Sequence, residues 1–352
     1  MREVAFGKTE RRRERKLCIR LSLLPLRRLR RQLSLQERQT LWHFVPSPLL
    51  REFPDKGSRE YCFVIKCRGT SCTPVFSLRV SLFWFRKEIT LAKLVTLFSS
   101  SSGNSYYIGS SGQAVLIDAG RSCKQIEQAM MSNNLDMRAV RAIFITHEHS
   151  DHCQGLRVLA SRYGIPVYAS AGTMEELERA GRLDSRFNTD IIEAKVSLGD
   201  MLIERIDTPH DAAESCGYRV TTADGRKAVI ATDMGVMLPA VRRAISECDV
   251  AVVESNHDVN MLLSGPYPYP LKRRILSDRG HLSNIACAEE LPGFVRAGVK
   301  HLVLGHLSSE NNTPDVAYQT ALCSLTQAGL VLNSDFTLQV APKETNGKGI
   351  IF

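Results

Sequence analysis

Side chains able to bind a metal ion are concentrated in the segment Thr146–His152, which reads Thr-His-Glu-His-Ser-Asp-His and follows the apolar run Ala142–Ile145. They are His147, His149, Asp151 and His152. On extended backbone His147 and His149 point to the same side and can share one metal, whereas a turn into a helix would carry Asp151 and His152 towards a second position. Neutral imidazole and carboxylate suit zinc, manganese or iron. The segment therefore predicts a metal site rather than a solvated polar loop.

The pattern His-x-His-x-Asp-His resembles the signature of the metallo-β-lactamase superfamily, and the resemblance implies further positions at the ends of predicted strands. Asp118, after Ala114–Ile117, resembles the aspartate that orients the site through hydrogen bonds. His210, in Thr-Pro-His-Asp, resembles a single histidine ligand, and Asp233, in Ala-Thr-Asp, resembles a carboxylate that bridges two metals. His306, in Leu-Gly-His-Leu-Ser, resembles the last ligand of the phosphodiesterase-type members.

The same resemblance divides the ligands between two divalent metal ions. It implies that one metal binds to His147, His149 and His210, that the other binds to Asp151, His152 and His306, and that Asp233 bridges them. Two such cations lower the pKa of a water between them and stabilise charge on a phosphoryl oxygen, so Asp151 is counted among the catalytic residues. Zinc is the expected metal, with manganese or iron as alternatives.

The C-terminal motifs point to a substrate class. Glu-Ser-Asn-His from Glu254, Gly-His-Leu-Ser from Gly280 and His-Leu-Ser from His306 resemble those of tRNA 3′-processing endonucleases and bacterial cyclic phosphodiesterases. The resemblance implies that His281 protonates the leaving oxygen and that Glu254 positions it. Alternatively, His281 only precedes or caps a helix that begins at Ser283. His257 competes for the acid role, but a structural or orienting role is expected for it.

The sequence most resembles the YycJ/WalJ family of bacterial metallo-β-lactamase-fold proteins, over about residues 94–345. The segments that carry the resemblance are Ser99–Ser105, Thr146–His152, Glu254–Asp258, Gly265–Pro268, Ser277–Asn284 and His306–Asn312. It implies a metal-dependent phosphodiester hydrolase, and within that class a 5′-to-3′ DNA exonuclease. Two alternatives stay open: a hydrolase of a cyclic phosphodiester, thioester or lactone, and a metal-stabilised binding or signalling module without turnover.

Candidate contacts to a nucleic-acid substrate lie in the segment Gly265–Arg279, which is expected to be an exposed loop. Tyr267 alternates with prolines, and Lys272, Arg273 and Arg274 follow. Aromatic faces and cations suit stacking on bases and attraction of phosphates, although a solvated loop explains them equally well. The serine-rich segment Ser99–Ser105 is expected to be a hairpin loop, with phosphate binding as the alternative.

The positioning elements form an alternating pattern over residues 91–352. Short buried strands are predicted at Val95–Phe98, Ala114–Ile117, Ala142–Ile145, Pro166–Ala169, Met201–Ile206, Ala228–Ala231, Val250–Val253 and His301–Leu304. Helical periodicity occurs at Lys124–Ser132, Cys153–Tyr163, Met174–Arg179, Pro239–Ser246 and Ala286–Ala297. This alternation predicts layered α/β packing, and with the resemblance a four-layer αββα sandwich with the dimetal site at one edge.

Residues 1–90 form a basic extension of a different kind. They hold 21 of the 46 Lys and Arg residues and 8 of the 37 Asp and Glu residues, which leaves 25 basic and 29 acidic residues in 91–352. The formal net charge of +9 therefore says nothing about the substrate of the second part. Three alternatives stay open for the extension: a basic arm, a disordered tail or a stretch that the cell does not translate. The third is suggested by Arg86-Lys87-Glu88, which a purine-rich ribosome-binding sequence can encode, so that a Leu codon at Leu91 could serve as an alternative start.

The cysteines and hydropathy indicate a cytoplasmic protein. Six cysteines lie singly in apparent core segments, which favours reduced thiols over a disulfide framework. Cys62, Cys67 and Cys72 lack a fourth ligand at zinc-finger spacing. No apolar run approaches the roughly 20 residues of a membrane span. The expected partner is nucleic acid or another phosphodiester, without a membrane, and the oligomeric state is left open.

Overall fold

A computed structural model describes residues 60–64, 77–81 and 91–352 of the chain. In the N-terminal part, β1 (Glu60–Val64) pairs antiparallel with β2 (Ser77–Ser81), Glu60 facing Ser81 and Val64 facing Ser77. The remaining predictions for residues 1–90 lie outside the described residues, and the domain boundary at residue 90 stays a prediction. The part from residue 91 contains two seven-stranded sheets.

The first of these sheets, the N-terminal sheet, has the strand order β16-β3-β4-β5-β6-β7-β8. Its strands are β3 (Lys93–Phe98), β4 (Ser105–Ser110), β5 (Gln113–Ile117), β6 (Val140–Phe144), β7 (Val167–Ala169), β8 (Thr189–Ile191) and β16 (Ile350–Ile351). The pairs from β16 to β5 are antiparallel, and those from β5 to β8 are parallel. The predicted strands of this half are confirmed to within two residues at each end, and β4, β8 and β16 are additional.

The second sheet, the C-terminal sheet, has the order β15-β14-β13-β12-β11-β10-β9. Its strands are β9 (Lys195–Leu198), β10 (Met201–Asp207), β11 (Cys216–Thr221), β12 (Lys227–Ala231), β13 (Val250–Glu254), β14 (His301–Gly305) and β15 (Thr337–Val340). Pairing is antiparallel from β9 to β12 and parallel from β12 to β15. The carboxyl ends of β10, β12, β13 and β14 therefore lie at the same edge.

Helices cover the outer face of each sheet. The helices of residues 91–352 are α1 (Cys123–Ser132), α2 (Ser150–Cys153), α3 (Leu156–Tyr163), α4 (Ala171–Arg179), α5 (Pro239–Ser246), α6 (Val259–Ser264), α7 (Tyr269–Ile275), α8 (Asn284–Ala297) and α9 (Pro314–Gln327). Buried side chains of α1, α3 and α4 pack on the N-terminal sheet, and those of α5, α8 and α9 pack on the C-terminal sheet. A third apolar cluster, between the sheets, takes residues from both.

Alternation within single strands explains the four layers. Val115 and Ile117 of β5 face the cluster between the sheets, whereas Ala114 and Leu116 face the helices. Strands that are buried on both faces read as continuous apolar runs, as β13 (Val-Ala-Val-Val) does. The predicted αββα sandwich is thus confirmed.

Two hydrogen bonds, one from the backbone and one from a side chain, tie β11 to the end of β6 in the other sheet. Cys216 N–H donates to the carbonyl of Thr146 at 3.0 Å, and the hydroxyl of Tyr218 donates to the carbonyl of Ile145 at 2.8 Å. The segment that carries the histidine cluster is therefore held from both halves of the sandwich.

Two predictions of local structure are wrong. The helix predicted at Cys153–Tyr163 is divided into α2 and α3 around Gly155, where an added Cβ would lie 1.9 Å from the carbonyl oxygen of Arg121. The loop predicted at Gly265–Arg279 contains α7, whose first turn holds a proline, a position where proline is favoured because its missing N–H has no partner to lose.

Among the residues that the structure describes, no helix combines the length and hydropathy needed to cross a membrane. The six cysteines of residues 91–352 are all free, and five of them are buried.

Candidate active site

The predicted site residues meet at the edge where strands of both sheets end. Asp118 follows β5 and the histidine cluster follows β6, its parallel neighbour. In the other sheet, His210 follows β10, Asp233 follows β12 and His306 follows β14. Because these strands run in the same direction within each sheet, their carboxyl ends converge. All seven predicted metal ligands therefore lie in one cluster.

His147, His149 and His210 form the first group, and one ring nitrogen of each lies within 4.8 Å of those of the others. His147 Nε2 and His149 Nδ1 are 3.1 Å apart. His210 Nδ1 donates to the carbonyl of Gly280 at 3.0 Å, which leaves Nε2 facing the group. The main-chain carbonyl of His210 in turn accepts from the guanidinium of Arg279 at 2.8 Å, so this histidine is fixed at both ends.

Asp151, His152 and His306 form the second group, in which one possible ligand atom of each residue lies within 4.8 Å of those of the others. His152 Nδ1 lies 2.8 Å from Asp118 Oδ2, and Asp118 Oδ1 accepts from Thr146 N–H at 2.8 Å. A carboxylate at Nδ1 holds the proton there, so Nε2 carries the lone pair that a metal needs. His152 Nε2 faces Asp151 Oδ2 at 3.4 Å.

Asp233 lies between the two groups. Its Oδ2 is 3.4 Å from His152 Nε2, and its Oδ1 is 3.1 Å from His306 Nδ1 and 3.9 Å from His210 Nε2. It therefore approaches members of both groups, which is the place required of a bridging carboxylate.

Asp118, Asp233 and His306 have positive φ angles of 65°, 59° and 54°. Only six non-glycine residues among those described share this left-handed backbone, which side chains with a Cβ rarely adopt. Asp118 and His306 come directly after a strand and Asp233 comes two residues after one, so the turn directs each side chain across the edge of the sheet. Such strain persists where the surrounding packing enforces it, and it is concentrated here at the site.

Buried polar atoms in the cluster have no hydrogen-bond partner among the described residues. They are His210 Nε2, Asp233 Oδ2 and His306 Nε2. An unpaired buried polar group is costly, whereas two cations, one coordinated by His210 Nε2 and the other by His306 Nε2, with Asp233 Oδ2 as a further ligand, would satisfy all three atoms. Two imidazole nitrogens and a carboxylate oxygen are suitable donors for a divalent transition metal. The residues present fit the metal centre that the sequence predicts.

The electrostatics of the cluster favour added positive charge. Burial lowers the pKa of His147 well below its ordinary value and keeps the ring neutral, which is its metal-binding form. Burial also opposes protonation of His152, but the carboxylates of Asp233, Asp118 and Asp151 together raise its pKa well above the ordinary value. Carboxylates that draw a proton onto a buried imidazole attract a metal cation for the same reason.

His281 and Glu254 form a pair beside the cluster. His281 Nδ1 lies 2.8 Å from Glu254 Oε1, and Oε2 accepts from the backbone N–H of Met234 at 2.8 Å and of Leu282 at 3.2 Å. Burial opposes ionisation of Glu254, but the neighbouring His281 and His306 lower its pKa to about 2. The side chain of His281 is 17% exposed, whereas that of Glu254 is fully buried. α8 begins at Asn284 with Ser283 as its N-cap, so His281 precedes the helix without capping it.

His257 follows Glu254 by three residues, but it is not part of the cluster of possible metal ligands. It is buried, and neither ring nitrogen has a hydrogen-bond partner among the described residues. Burial lowers its pKa to about 4, so the ring is neutral at physiological pH. A general acid exchanges its proton with solvent or substrate, and the burial of His257 argues against this role.

The residues predicted as substrate contacts differ in what they already bind. The ammonium of Lys272 donates to the carbonyls of Leu263 and Gly265 at 2.6 and 2.8 Å, and Arg274 forms an ion pair with Asp211. Arg273 is exposed and Tyr267 is half-buried. Tyr269, at the start of α7, is 72% exposed.

The loop Ser99–Asn104 contributes contacts that the sequence did not reveal. It joins β3 to β4 as a hairpin, as expected, and also lies against the cluster. The hydroxyl of Ser99 accepts from His306 N–H at 2.8 Å, and Asn104 Nδ2 lies 3.0 Å from His152 Nε2. The only sequence signal was the unusual run of serines followed by Gly-Asn.

The comparisons with known proteins agree with this geometry. The family model described as a Beta-lactamase superfamily domain matches residues 113–307. WalJ of Streptococcus pneumoniae serotype 2 strain D39, named an exodeoxyribonuclease, is 38% identical over 257 residues, which are 72% of this chain and 95% of that protein. The chain belongs to the WalJ/YycJ family. A second family member, the exodeoxyribonuclease YycJ of Bacillus anthracis, is 37% identical over 245 residues, 69% of this chain and 92% of that protein.

Solved structures show the same fold at lower identity. The metallo-β-lactamase-fold protein YhfI of Bacillus subtilis has a TM-score of 0.55 at 15% identity, over 74% of this chain and 99% of that one. A diphosphatase of the PhnP family has a TM-score of 0.53 at 16% identity, over 74% of this chain and 97% of that one. The WalJ/YycJ member described here is thus a hydrolase of the metallo-β-lactamase fold.

Proposed function

We propose that this WalJ/YycJ member is a dinuclear metal-dependent exodeoxyribonuclease that digests DNA from the 5′ end. The observation that carries the proposal is its 38% identity to an exodeoxyribonuclease across 95% of that protein's length. The cluster of histidines and aspartates with an adjoining imidazole–carboxylate pair supports it, since phosphodiester hydrolysis needs both charge stabilisation and a proton donor.

Two metal ions would be held by the two histidine-containing groups. His147, His149 and His210 would hold the first, Asp151, His152 and His306 the second, and Asp233 both. When bound, such a pair activates water and stabilises charge on the phosphoryl oxygens. Imidazole and carboxylate donors without thiolate favour zinc, with manganese or iron as the alternatives. Asp118 would orient His152 through its hydrogen bond.

The leaving oxygen would be protonated by His281. Its Nδ1–H donates to Glu254 Oε1, which leaves Nε2 to face the substrate side. A departing alkoxide requires a proton, and an imidazole can supply one near neutral pH.

His281 and Glu254 also form, with Asp233 and His306, a further group whose donor atoms are mutually close. Glu254 is already occupied by two backbone N–H donors and two imidazoles, at 3.2 Å or less. Its lone pairs are therefore used, and positioning of His281 is the role that we assign to it.

Substrate would lie along α7. Arg273 is exposed and is our first candidate for a phosphate contact, with Tyr267 and Tyr269 as candidates for stacking on an unpaired base. Lys272 and Arg274 are proposed as weaker contacts, because each already has a partner within the protein.

The six free cysteines of residues 91–352 support a reducing compartment, and we propose a cytoplasmic location. Fractionation of cells that express the full chain would test this, and recovery outside the cytoplasm would contradict it.

The activity test uses DNA labelled at either the 5′ or the 3′ end. The full chain, loaded in turn with Zn²⁺ and Mn²⁺, is incubated with single- and double-stranded DNA, RNA, a cyclic dinucleotide, a thioester and a lactone. We expect mononucleotide release from the 5′ end of DNA, and its loss in Asp151→Ala and after chelation. Activity on the thioester or lactone alone would refute the nuclease proposal. Retention of the biological role by Asp151→Ala would favour a non-catalytic module.

A further inference from the structure

The amide of Asn104 is fixed in orientation by the backbone of Ser100. Asn104 Oδ1 accepts from Ser100 N–H at 3.1 Å, and Nδ2 donates to the carbonyl of Ser100 at 3.0 Å. Exchanging the amide oxygen and nitrogen would place two donors and two acceptors face to face, so only one orientation satisfies both bonds. The side chain is fully buried.

The second N–H of Asn104 faces the second group of candidate metal ligands. Nδ2 lies 3.0 Å from His152 Nε2 and 3.4 Å from Asp151 Oδ2. The backbone of Asn104 is part of the same junction, because its N–H donates to the carbonyl of Asp151 and its carbonyl accepts from Gly120, each at 2.8 Å. Asn104 is therefore hydrogen-bonded both to the segment after β5, which carries Asp118, and to helix α2, which carries Asp151.

We propose that Asn104 is a positioning residue, which holds the carboxylate of Asp151 towards the second metal position and so sets the affinity of that position. The inference rests on the proposed function, specifically on its two-metal assignment. A lone pair of His152 that binds a metal is no longer available as an acceptor. The remaining N–H of Asn104 then has Asp151 Oδ2 as its acceptor. A hydrogen bond to a coordinating carboxylate fixes its rotation and strengthens binding.

The proposed effect is confined to one of the two positions. None of the contacts that the structure shows for Asn104 involves His147, His149 or His210. A general loss of folding would instead weaken both positions together. Comparing the two positions within one protein thus separates positioning from a structural role.

The test is calorimetric titration of the metal-free full chain with Zn²⁺ alone, with the bound zinc counted by elemental analysis. We expect two equivalents in the wild type. In Asn104→Ala one of the two equivalents should lose about 10–100-fold in affinity, the cost typical of removing a group that orients a metal ligand. The other equivalent should be unchanged.

Asn133→Ala is the matched control. Asn133 is also buried, and its Nδ2 donates to the carbonyl of Ala129 at 2.7 Å and to Thr345 Oγ1 at 2.8 Å, away from the site. It should keep both affinities. If Asn104→Ala does not fold, Asn104→Ser is used, since its hydroxyl is too short to reach Asp151.

The outcomes distinguish the inference from the function. Wild-type binding of two zinc ions, together with unchanged or equally weakened binding of both in the Asn104 variants, would overturn the role of Asn104 and leave the proposed function standing. Failure of the wild type to bind two ions would instead refute the two-metal assignment itself. Selective weakening of one equivalent would support the inference.

Discussion

Replacement of His281 by alanine should slow the hydrolysis of DNA far more than that of an activated ester. His281 Nδ1 is 2.8 Å from a buried carboxylate that fixes its N–H, and the side chain of His281 is 17% exposed. A positioned general acid contributes about 10²–10⁴-fold to rate. Its removal should therefore raise the barrier for an alkoxide leaving group by about 3–5 kcal/mol.

The assay compares kcat for a labelled DNA strand with kcat for bis-p-nitrophenyl phosphate, using the same metal-loaded preparations. A nitrophenolate leaves without protonation, so the activated ester should lose less than about tenfold, below the contribution of a general acid. Glu254→Gln should lie between the wild type and His281→Ala on DNA. A neutral amide oxygen still accepts from His281, but the bond is about half as strong as one to a carboxylate.

Equal losses on both substrates, at unchanged metal content, would refute the acid role. Loss of a metal ion from His281→Ala would also refute the acid role, because it would indicate that His281 is a metal ligand together with Asp233 and His306. Elemental analysis of each preparation separates these two results.

Four further outcomes are expected. Asp118→Asn, which cannot accept the Nδ1–H of His152 equally well, should lower metal affinity about 10–100-fold by titration, and unchanged affinity would contradict the orienting role. Metal at about 100 times its Kd should add about 2.7 kcal/mol of stability, or about 5–10 °C in Tm, which chelation should remove. Gly120→Ala should lower the free energy of unfolding by about 2 kcal/mol or more, because its Cβ would lie 1.7 Å from the carbonyl oxygen of Asp151. Gly293→Ala should raise it by about 1 kcal/mol, because Gly293 lies within α8 and an added Cβ would meet no atom within 4 Å. Urea unfolding measures both changes. Burial lowers the pKa of His257 from 6.5 to about 4 in the folded protein, so the unfolded chain binds more protons between these pH values. The free energy of unfolding should therefore fall by about 3 kcal/mol as the pH drops from 6.5 to 4. An equal fall in His257→Gln would show that other groups cause the loss of stability.

The cluster from His147 to His152 could be recognised because its members are neighbours in sequence. Their spacing on extended backbone and at a helix start is sufficient to predict two metal positions. Asp118, Asp233 and His306, in contrast, are isolated in the sequence, and each comes shortly after the end of a strand. Nothing local distinguishes such residues from ordinary turn residues, and they were found only through the family resemblance.

Other features depend on long-range packing and had no local signal. The contact of Asn104 with Asp151 requires that a hairpin pack against helix α2, whose Asp151 is 47 residues away in the chain. Helix α7 was missed because its prolines suggest a loop, although proline is compatible with a first helical turn. The break at Gly155 arises from the approach of the Arg121 backbone, which periodicity within α2 and α3 does not reveal.

The division of the site between two sheets has a consequence for synthesis of the protein. Of the three candidate ligands from the C-terminal sheet, His306 comes last in the chain, and the hydrogen bond from its N–H to Ser99 spans 207 positions. During synthesis on the ribosome, the histidines after β6 are made well before His210, Asp233 and His306. The complete set of seven candidate ligands therefore cannot assemble until synthesis has passed His306 and β14 has joined the C-terminal sheet.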